Sequence, residues 1–412
     1  MTSESATATA LAARLDDLVR LDTSLLVEMR RDLHAHPELS GRETATTAWL
    51  GQHLRDLGLA PVRLDVGTGL VCDVPLGGAA PGDGSPVVAL RADIDALAMQ
   101  DGKQVGYRSQ HDGAAHACGH DVHTTVLVGA ARVLHALAAD VPARGTVRLV
   151  FEPAEETVPG GAVDVIAEGW LEGVSAIFGL HCDPKVDVGR LGCRAGALTS
   201  ASDQVEVRVG GPGGHTARPE LTVDLVDVIG RLVTGLQAGI DRLTERPGDL
   251  RLVFGSVHAG DAPNVVPADG TLHGTLRTRD REIWQRAPEL VRRALGTLLH
   301  PTGATWDIDH RRGVPPVHND AAMTDLLAGA ARRVLGEDSV VSTDQSMGGD
   351  SFAWYLDHVP GTYARLGVHD PASSAPRLDL HASTFDVDER AIGVGVRVLV
   401  TAALDALASA RR

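Results

Sequence analysis

Two short segments concentrate the side chains that bind metals and move protons. His116-Ala-Cys118-Gly-His120-Asp-Val-His123 lies just before an apolar run of helical character. Thiolate and imidazole are donors that Zn2+, Mn2+ or Co2+ accept, and Cys118 and His120, two apart on a turn, can aim at one point. A polar loop with water-facing histidines and a small buried cysteine would have the same sequence. The second segment, Phe151-Glu-Pro-Ala-Glu155-Glu156, follows an apolar strand. Carboxylates at the end of a buried strand are costly unless a cation neutralises them. Neighbouring side chains point in different directions, so one can ligate while the other faces substrate as a base; a solvated acidic turn is the alternative.

Three further blocks are ambiguous singly. Gly179-Leu-His181 ends an apolar strand, where a histidine is more often satisfied by a backbone carbonyl, and His381 precedes the last helix. Gly210-Gly-Pro-Gly-Gly-His215-Thr-Ala-Arg-Pro219 is either a strand–helix turn or a mobile carrier of an imidazole. Jointly they say more, because donors at the carboxyl ends of several strands of an α/β sheet meet in one crevice. Cys118, His120, Glu156, His181 and His381 would suffice for two metal ions.

The elements that must position these groups read as an α/β fold. Helices occupy the first fifty residues, and Ser40-Gly-Arg-Glu43 has the spacing of a capping box. Strands at Gly69–Val74, Val87–Arg91, Gly145–Phe151 and Ser175–Leu180 then alternate with helices at Thr124–Leu137 and Gly161–Gly169. That alternation predicts a mostly parallel, helix-covered sheet. From Gln204 the order becomes β-α-β-β-α-β, that of a ferredoxin-like α+β module. The expected division is a discontinuous catalytic domain, 1–198 and 313–412, interrupted by an inserted domain at 199–312. Gly77–Pro86 and Pro371–Pro376 are the biased loops.

The composition excludes several functions. Thirty-eight basic against fifty-four acidic side chains give a charge of −16, the wrong sign for a nucleic-acid partner. Lys103 and Lys185 are the only lysines, and the four cysteines are too few for a disulfide scaffold. No run approaches the ~18 apolar residues of a membrane span, so no membrane association is expected. The first residues lack a basic segment followed by an apolar one, which predicts a cytoplasmic setting.

Taken in order, the blocks resemble those of the di-metal aminoacylase/carboxypeptidase superfamily (metallopeptidase family M20, subfamily D). The nearest branch is that of hippurate hydrolases, N-acyl-amino-acid amidohydrolases and auxin-conjugate hydrolases. The likeness runs from Arg30–Glu38 through Arg91-Ala-Asp93-Ile-Asp-Ala-Leu97, the five blocks above, Ala262-Pro-Asn264 and Gly274-Thr-Leu-Arg277 to Met347-Gly-Gly349 and His381. It implies a zinc-peptidase-like catalytic domain plus an inserted lid that commonly mediates dimerisation. Cys118, His120, Glu156, His181 and His381 would hold two divalent ions (Zn2+, Mn2+ or Co2+), with Glu155 as general base and His215 on the oxyanion. Asn264, Arg277 and Gly349 would bind substrate, Arg277 at a free α-carboxylate. The chain departs from the family pattern at Ala98, usually proline, and at Asp350-Ser351, usually Glu-Asp; the second departure bears on substrate identity.

The expected activity is hydrolysis of N-acyl (acetyl, benzoyl or similar) amino acids, small-molecule substrates, by a possible homodimer. Dipeptide or N-carbamoyl-amino-acid cleavage on the same scaffold is the alternative. A non-catalytic metal-binding protein would be expected to lack Glu155 or His215, and both are present.

Overall fold

Four buried runs, Gly145–Glu152, Val87–Asp93, Val174–Asp187 and Gly361–His369, pair side by side in parallel. Their near-continuous apolarity is what a sheet covered on both faces requires. Antiparallel Leu70–Leu76 and Val62–Arg63 extend one side, while Leu191–Cys193 and Val340–Ser342 extend the other to complete eight strands. The result is the expected α/β fold with a mostly parallel central sheet. This computed structural model describes residues 3–80, 82–374 and 376–410. Pro81 of the Gly/Pro loop and Ala375 of the Pro/Ser loop therefore lie outside the described residues.

Helices Ser3–Ala35, His120–Leu137 and Arg390–Ser409 pack on one another and on the sheet, closing a core that includes Leu26, Val126, Leu127, Val396 and Leu399. Arg390–Ser409 packs against both of the other helices. By length and composition it is apolar enough to cross a membrane, but 67% of its apolar window is buried, as in a core helix.

The chain folds into two compact units. The first holds the eight-stranded sheet and ends its N-terminal part at Gly196, resuming over His318–Asp344 and from Ser351 onward. The second comprises Ala197–Val317 and Gln345–Asp350. The short segment goes with the second unit because Ser346 N–H donates to Leu198 O, Ser200 N–H to Gly348 O, and Ser200 Oγ to Met347 O. Four antiparallel strands make its sheet, in the order Leu250–His258, Asp269–Thr278, Ala201–Gly210, Thr305–Val314. Helices Leu225–Asp241 and Arg281–Leu299 bury Leu232, Leu236, Leu290, Val291 and Leu295 in a core of their own.

Candidate metal centre

Within the first unit, three strands and one helix deliver the chemical side chains to one place. Val87–Asp93 ends on Asp93-Ile-Asp95, Gly145–Glu152 runs into Pro153–Glu156, and Val174–Asp187 carries His181. The helix His120–Leu137 starts at His120, one turn earlier than the apolar periodicity predicts. Gly119 before it has φ 90°, and a Cβ there would stand 2.8 Å from Cys182 Sγ, so glycine is required on both counts.

Hydrogen bonds fix the tautomers of two imidazoles. His181 Nδ1 lies 2.8 Å from Cys182 O, an acceptor only, so Nδ1 carries the proton and Nε2 a lone pair. That lone pair faces Cys118 Sγ at 3.5 Å. Likewise His120 Nδ1 donates toward Asp95, 3.0 Å from its carbonyl and 3.1 Å from Oδ1, so Nε2 is the nitrogen that a metal would take in exchange for a proton. His120 Nε2 and Glu156 Oε1 are 3.8 Å apart, both buried and, among the described residues, both without a hydrogen bond. His381 Nε2 is 3.5 Å from the same Glu156 oxygen. Cys118, His120 and His181 form one triad of donor atoms within 4.8 Å of each other, and Cys118, Glu156 and His381 form another.

A cation suits this donor set. Burial first, and then the charge of Glu156, pushes the Cys118 thiol well above its usual range, so an anionic sulfur needs a positive partner. Burial opposes a charge on His120, yet Asp93 and Cys118 outweigh it and draw a proton to the ring. A divalent ion answers the same surplus of negative charge. His181 is held well below the ordinary imidazole range, first by burial and then by His123 and Arg365, and is ready to ligate as a neutral ring. His123 is not available as a ligand. Its Nδ1 bonds Asp93 Oδ1 at 2.6 Å, and its Nε2 accepts from Cys182 N–H at 2.8 Å.

The supporting groups were not assigned roles from sequence. Asp95 orients His120 and also accepts from Ser40 Oγ at 2.6 Å and from Glu156 N–H at 2.9 Å. Glu43 Oε1 accepts from Gly41 N–H and from Ala154 N–H, both at 2.8 Å. Ser40 and Glu43 therefore do not form the expected capping box; Glu38 instead receives the first N–H groups of the helix Thr44–Asp56. The only available signal was a strand ending in Asp93-Ile-Asp95. Backbone strain marks the candidate ligand loops: among the described residues, Ala154 and His381 are the non-glycine residues with positive φ, 55° and 65°. His381 N–H is anchored on Ala117 O at 2.8 Å, which ties the last ligand loop to the first.

In the second unit, strands Gly214–His215 and Val265–Val266 form a ribbon that sets His215 opposite Val265, next to Asn264. Both residues are exposed. His215 Nδ1 accepts from Ala217 N–H at 3.0 Å, so its outer nitrogen, Nε2, is the donor. Arg277, on Asp269–Thr278, donates to Met347 O at 2.5 Å, which fastens the Gln345–Asp350 segment. A Cβ on Gly349 would lie 2.7 Å from Val314 Cγ2, a packing reason for glycine that needs no substrate.

A family model described as Peptidase family M20/M25/M40 matches residues 89–405. The chain is 35% identical over 373 residues to N-acetylcysteine deacetylase of Bacillus subtilis (strain 168), covering 90% of this chain and 93% of that protein. It is 50% identical over 380 residues to a Rhodococcus jostii (strain RHA1) protein named for glutamate–cysteine ligase, covering 92% of this chain. It spans only 46% of that relative's length. Among solved structures, the Bacillus subtilis YXEP protein, described as a dinuclear metal binding peptidase, superposes with a TM-score of 0.82 at 32% identity, covering 95% of this chain and 99% of that one.

Proposed function

This chain belongs to peptidase family M20/M25/M40, a hydrolytic enzyme of its metal-dependent amidohydrolases, and from that premise we propose that it cleaves the amide bond of N-acyl amino acids. The products are a carboxylic acid and a free amino acid. One observation carries the reading: the Nε2 atoms of His120 and His181 converge with Cys118 and Glu156, while a second carboxylate, Glu155, lies within reach of His120 and Glu156. The N-acetylcysteine deacetylase relative, by its name, acts on an amino acid with an acyl group on nitrogen.

In this reading Cys118, His120, Glu156, His181 and His381 hold two divalent ions, Zn2+, Mn2+ or Co2+. Such ions supply Lewis acidity toward a carbonyl and lower the pKa of bound water toward ~7. Glu155 takes the proton of the attacking water and returns it to the departing nitrogen. His215, whose Nε2–H points outward from its hydrogen-bonded ring, donates to the developing oxyanion. Asn264, Arg277 and Gly349 are assigned to substrate binding from the second unit, which we also read as a lid and the dimer contact. A cytoplasmic setting accords with four unpaired cysteines. Dipeptides and N-carbamoyl amino acids stay as alternatives, the former because the YXEP protein is described as a peptidase.

The test is a panel of N-acetyl and N-benzoyl amino acids, N-carbamoyl amino acids and dipeptides, each assayed with Zn2+, Mn2+ and Co2+. N-acyl amino acids should be turned over fastest. Preference for dipeptides or N-carbamoyl compounds would replace the substrate class, and no hydrolysis with any metal would sink the reading. Replacing His215 by Ala should lower kcat by about 10²–10³ with little change in KM, since an oxyanion contact exists mainly in the transition state.

A further inference from the structure

Arg365 is 8% exposed, and among the described residues its guanidinium makes no hydrogen bond and no ion pair. It lies on Gly361–His369 as the register partner of His181 on the parallel strand Val174–Asp187, so the two side chains rise from the same face of the sheet. Tyr363, two residues earlier on that strand, shares the face, with its ring centroid 6.0 Å from that of His181. Room for the arginine comes from Gly192 on the adjacent strand, where an added Cβ would stand 3.1 Å from Arg365 Cβ.

Such an arginine is unusual. It cannot shed its proton, and it presents five N–H donors in a planar fork. A buried guanidinium is normally matched by a carboxylate, as Arg91 is by Glu152 and Asp93, and Arg30 by Asp121 and Asp386, elsewhere in this unit. Arg365 has no such match, and none of its nitrogens is among the fully buried polar atoms that lack a partner, so its guanidinium stays open to solvent and to a ligand. Its register partner on the face, His181, supplies no carboxylate, and its Nδ1 is committed to Cys182 O at 2.8 Å.

We propose that Arg365 binds a carboxylate of the substrate, beside the ligand His181, and so restricts the enzyme to anionic N-acyl compounds. This rests on the amidohydrolase reading above and narrows its substrate class. The carboxylate has two possible sources. The α-carboxylate of an N-acyl amino acid and the distal carboxylate of an N-succinyl group each stand three bonds from the scissile carbonyl carbon. A bidentate Arg–carboxylate contact suits either one.

The experiment compares N-acetylalanine, N-succinylalaninamide and N-acetylalaninamide on the metal-loaded wild-type enzyme, Arg365→Met and Arg365→Lys. The wild type should favour at least one carboxylate-bearing compound over N-acetylalaninamide by about 10²-fold in kcat/KM. Arg365→Met should erase that preference by slowing the carboxylate compound alone, and Arg365→Lys should keep part of it. Whichever compound is slowed identifies the source. A fold defect would depress all three compounds together, so binding is also measured on metal-free protein by calorimetry with N-acetylalanine, N-succinylalaninamide and N-acetylalaninamide, on samples matched for melting temperature. Equal affinities of Arg365→Met and wild type for both carboxylate compounds would overturn the proposal. If the wild type hydrolyses none of the three compounds, the functional reading fails, while the binding comparison still decides the role of Arg365.

Discussion

The backbone N–H of Ser351 donates to Glu155 Oε1 at 3.2 Å, and the Ser351 hydroxyl is itself held on both sides. It accepts from Arg91 NH2 at 2.9 Å and donates to Glu152 Oε1 at 2.5 Å. Glu152 in turn accepts from Tyr355 Oη at 2.9 Å. The carboxylate proposed as base is thus oriented by a fully buried polar frame, centred on a residue where the sequence departs from the family pattern. If Glu155 is the base, Ser351 is a positioning residue that acts on the reaction through it.

Replacing Ser351 by Ala should lower kcat about tenfold while leaving KM within about twofold, because a positioning contact acts mainly on the transition state. A hydrogen bond to a carboxylate favours its charged form. Loosening it should raise the pKa of Glu155, so the acid limb of the pH–rate profile should move to higher pH. An unchanged limb would make Ser351 a packing residue only.

Glu155→Gln and Glu156→Gln should separate two losses. The first should abolish turnover by several orders of magnitude and keep the metal; the second should lose metal. Elemental analysis of both purified variants, alongside kcat, decides between this assignment and the reverse.

Metal binding should release protons. Burial and Glu156 raise the Cys118 thiol, and Asp93 and Cys118 raise His120 against the effect of burial, so both groups carry protons at neutral pH in the metal-free chain. A metal must displace them, so affinity should strengthen as pH rises, with about one proton released from each group. Calorimetry in buffers of different ionisation enthalpy measures the number, and Cys118→Ala should release one fewer. Cys72 and Cys193, whose thiols burial raises to about 12, should remain unreactive to alkylation with or without metal.

His116 should make the metal-free protein sensitive to acid. The residue is 3% exposed, its Nδ1 has no partner among the described residues, and burial lowers its pKa to about 3. The unfolded imidazole, near 6.5, takes up a proton first as pH falls. The associated stability is therefore complete above about pH 6.5 and is lost progressively down to about pH 3, with about 2 kcal/mol gone at pH 5. Urea unfolding of wild type and His116→Gln at pH 7 and pH 5 should show a smaller loss in the variant. Equal losses would place the acid-sensitive group elsewhere.

The sequence made the strands and the ligand types readable because they follow short-range rules. Apolar runs such as Leu149–Phe151 are strands by composition, and Cys118, His120 and Glu156 advertise their chemistry by residue type. What was not readable depends on partners far along the chain. Ser40 and Glu43 have the spacing of a helix cap, but Asp95 and Ala154 compete for their side chains and win. The hydrogen bond that ties His123 to Asp93 is equally a matter of the fold and not of local spacing. The solitude of Arg365 is likewise invisible in a sequence, since it is defined by what its surroundings lack.

The hydrogen bond from His381 N–H to Ala117 O joins segments more than two hundred residues apart, with the whole second unit intervening between them in sequence. Ions held by Cys118, Glu156 and His381 would clamp that loop as a reversible crosslink does, and closing so long a loop removes conformational freedom from the unfolded chain. Chelation should then do more than silence the enzyme: it should release the segment around His381 to proteases, making nicking near that residue a gauge of how fully the protein is metallated.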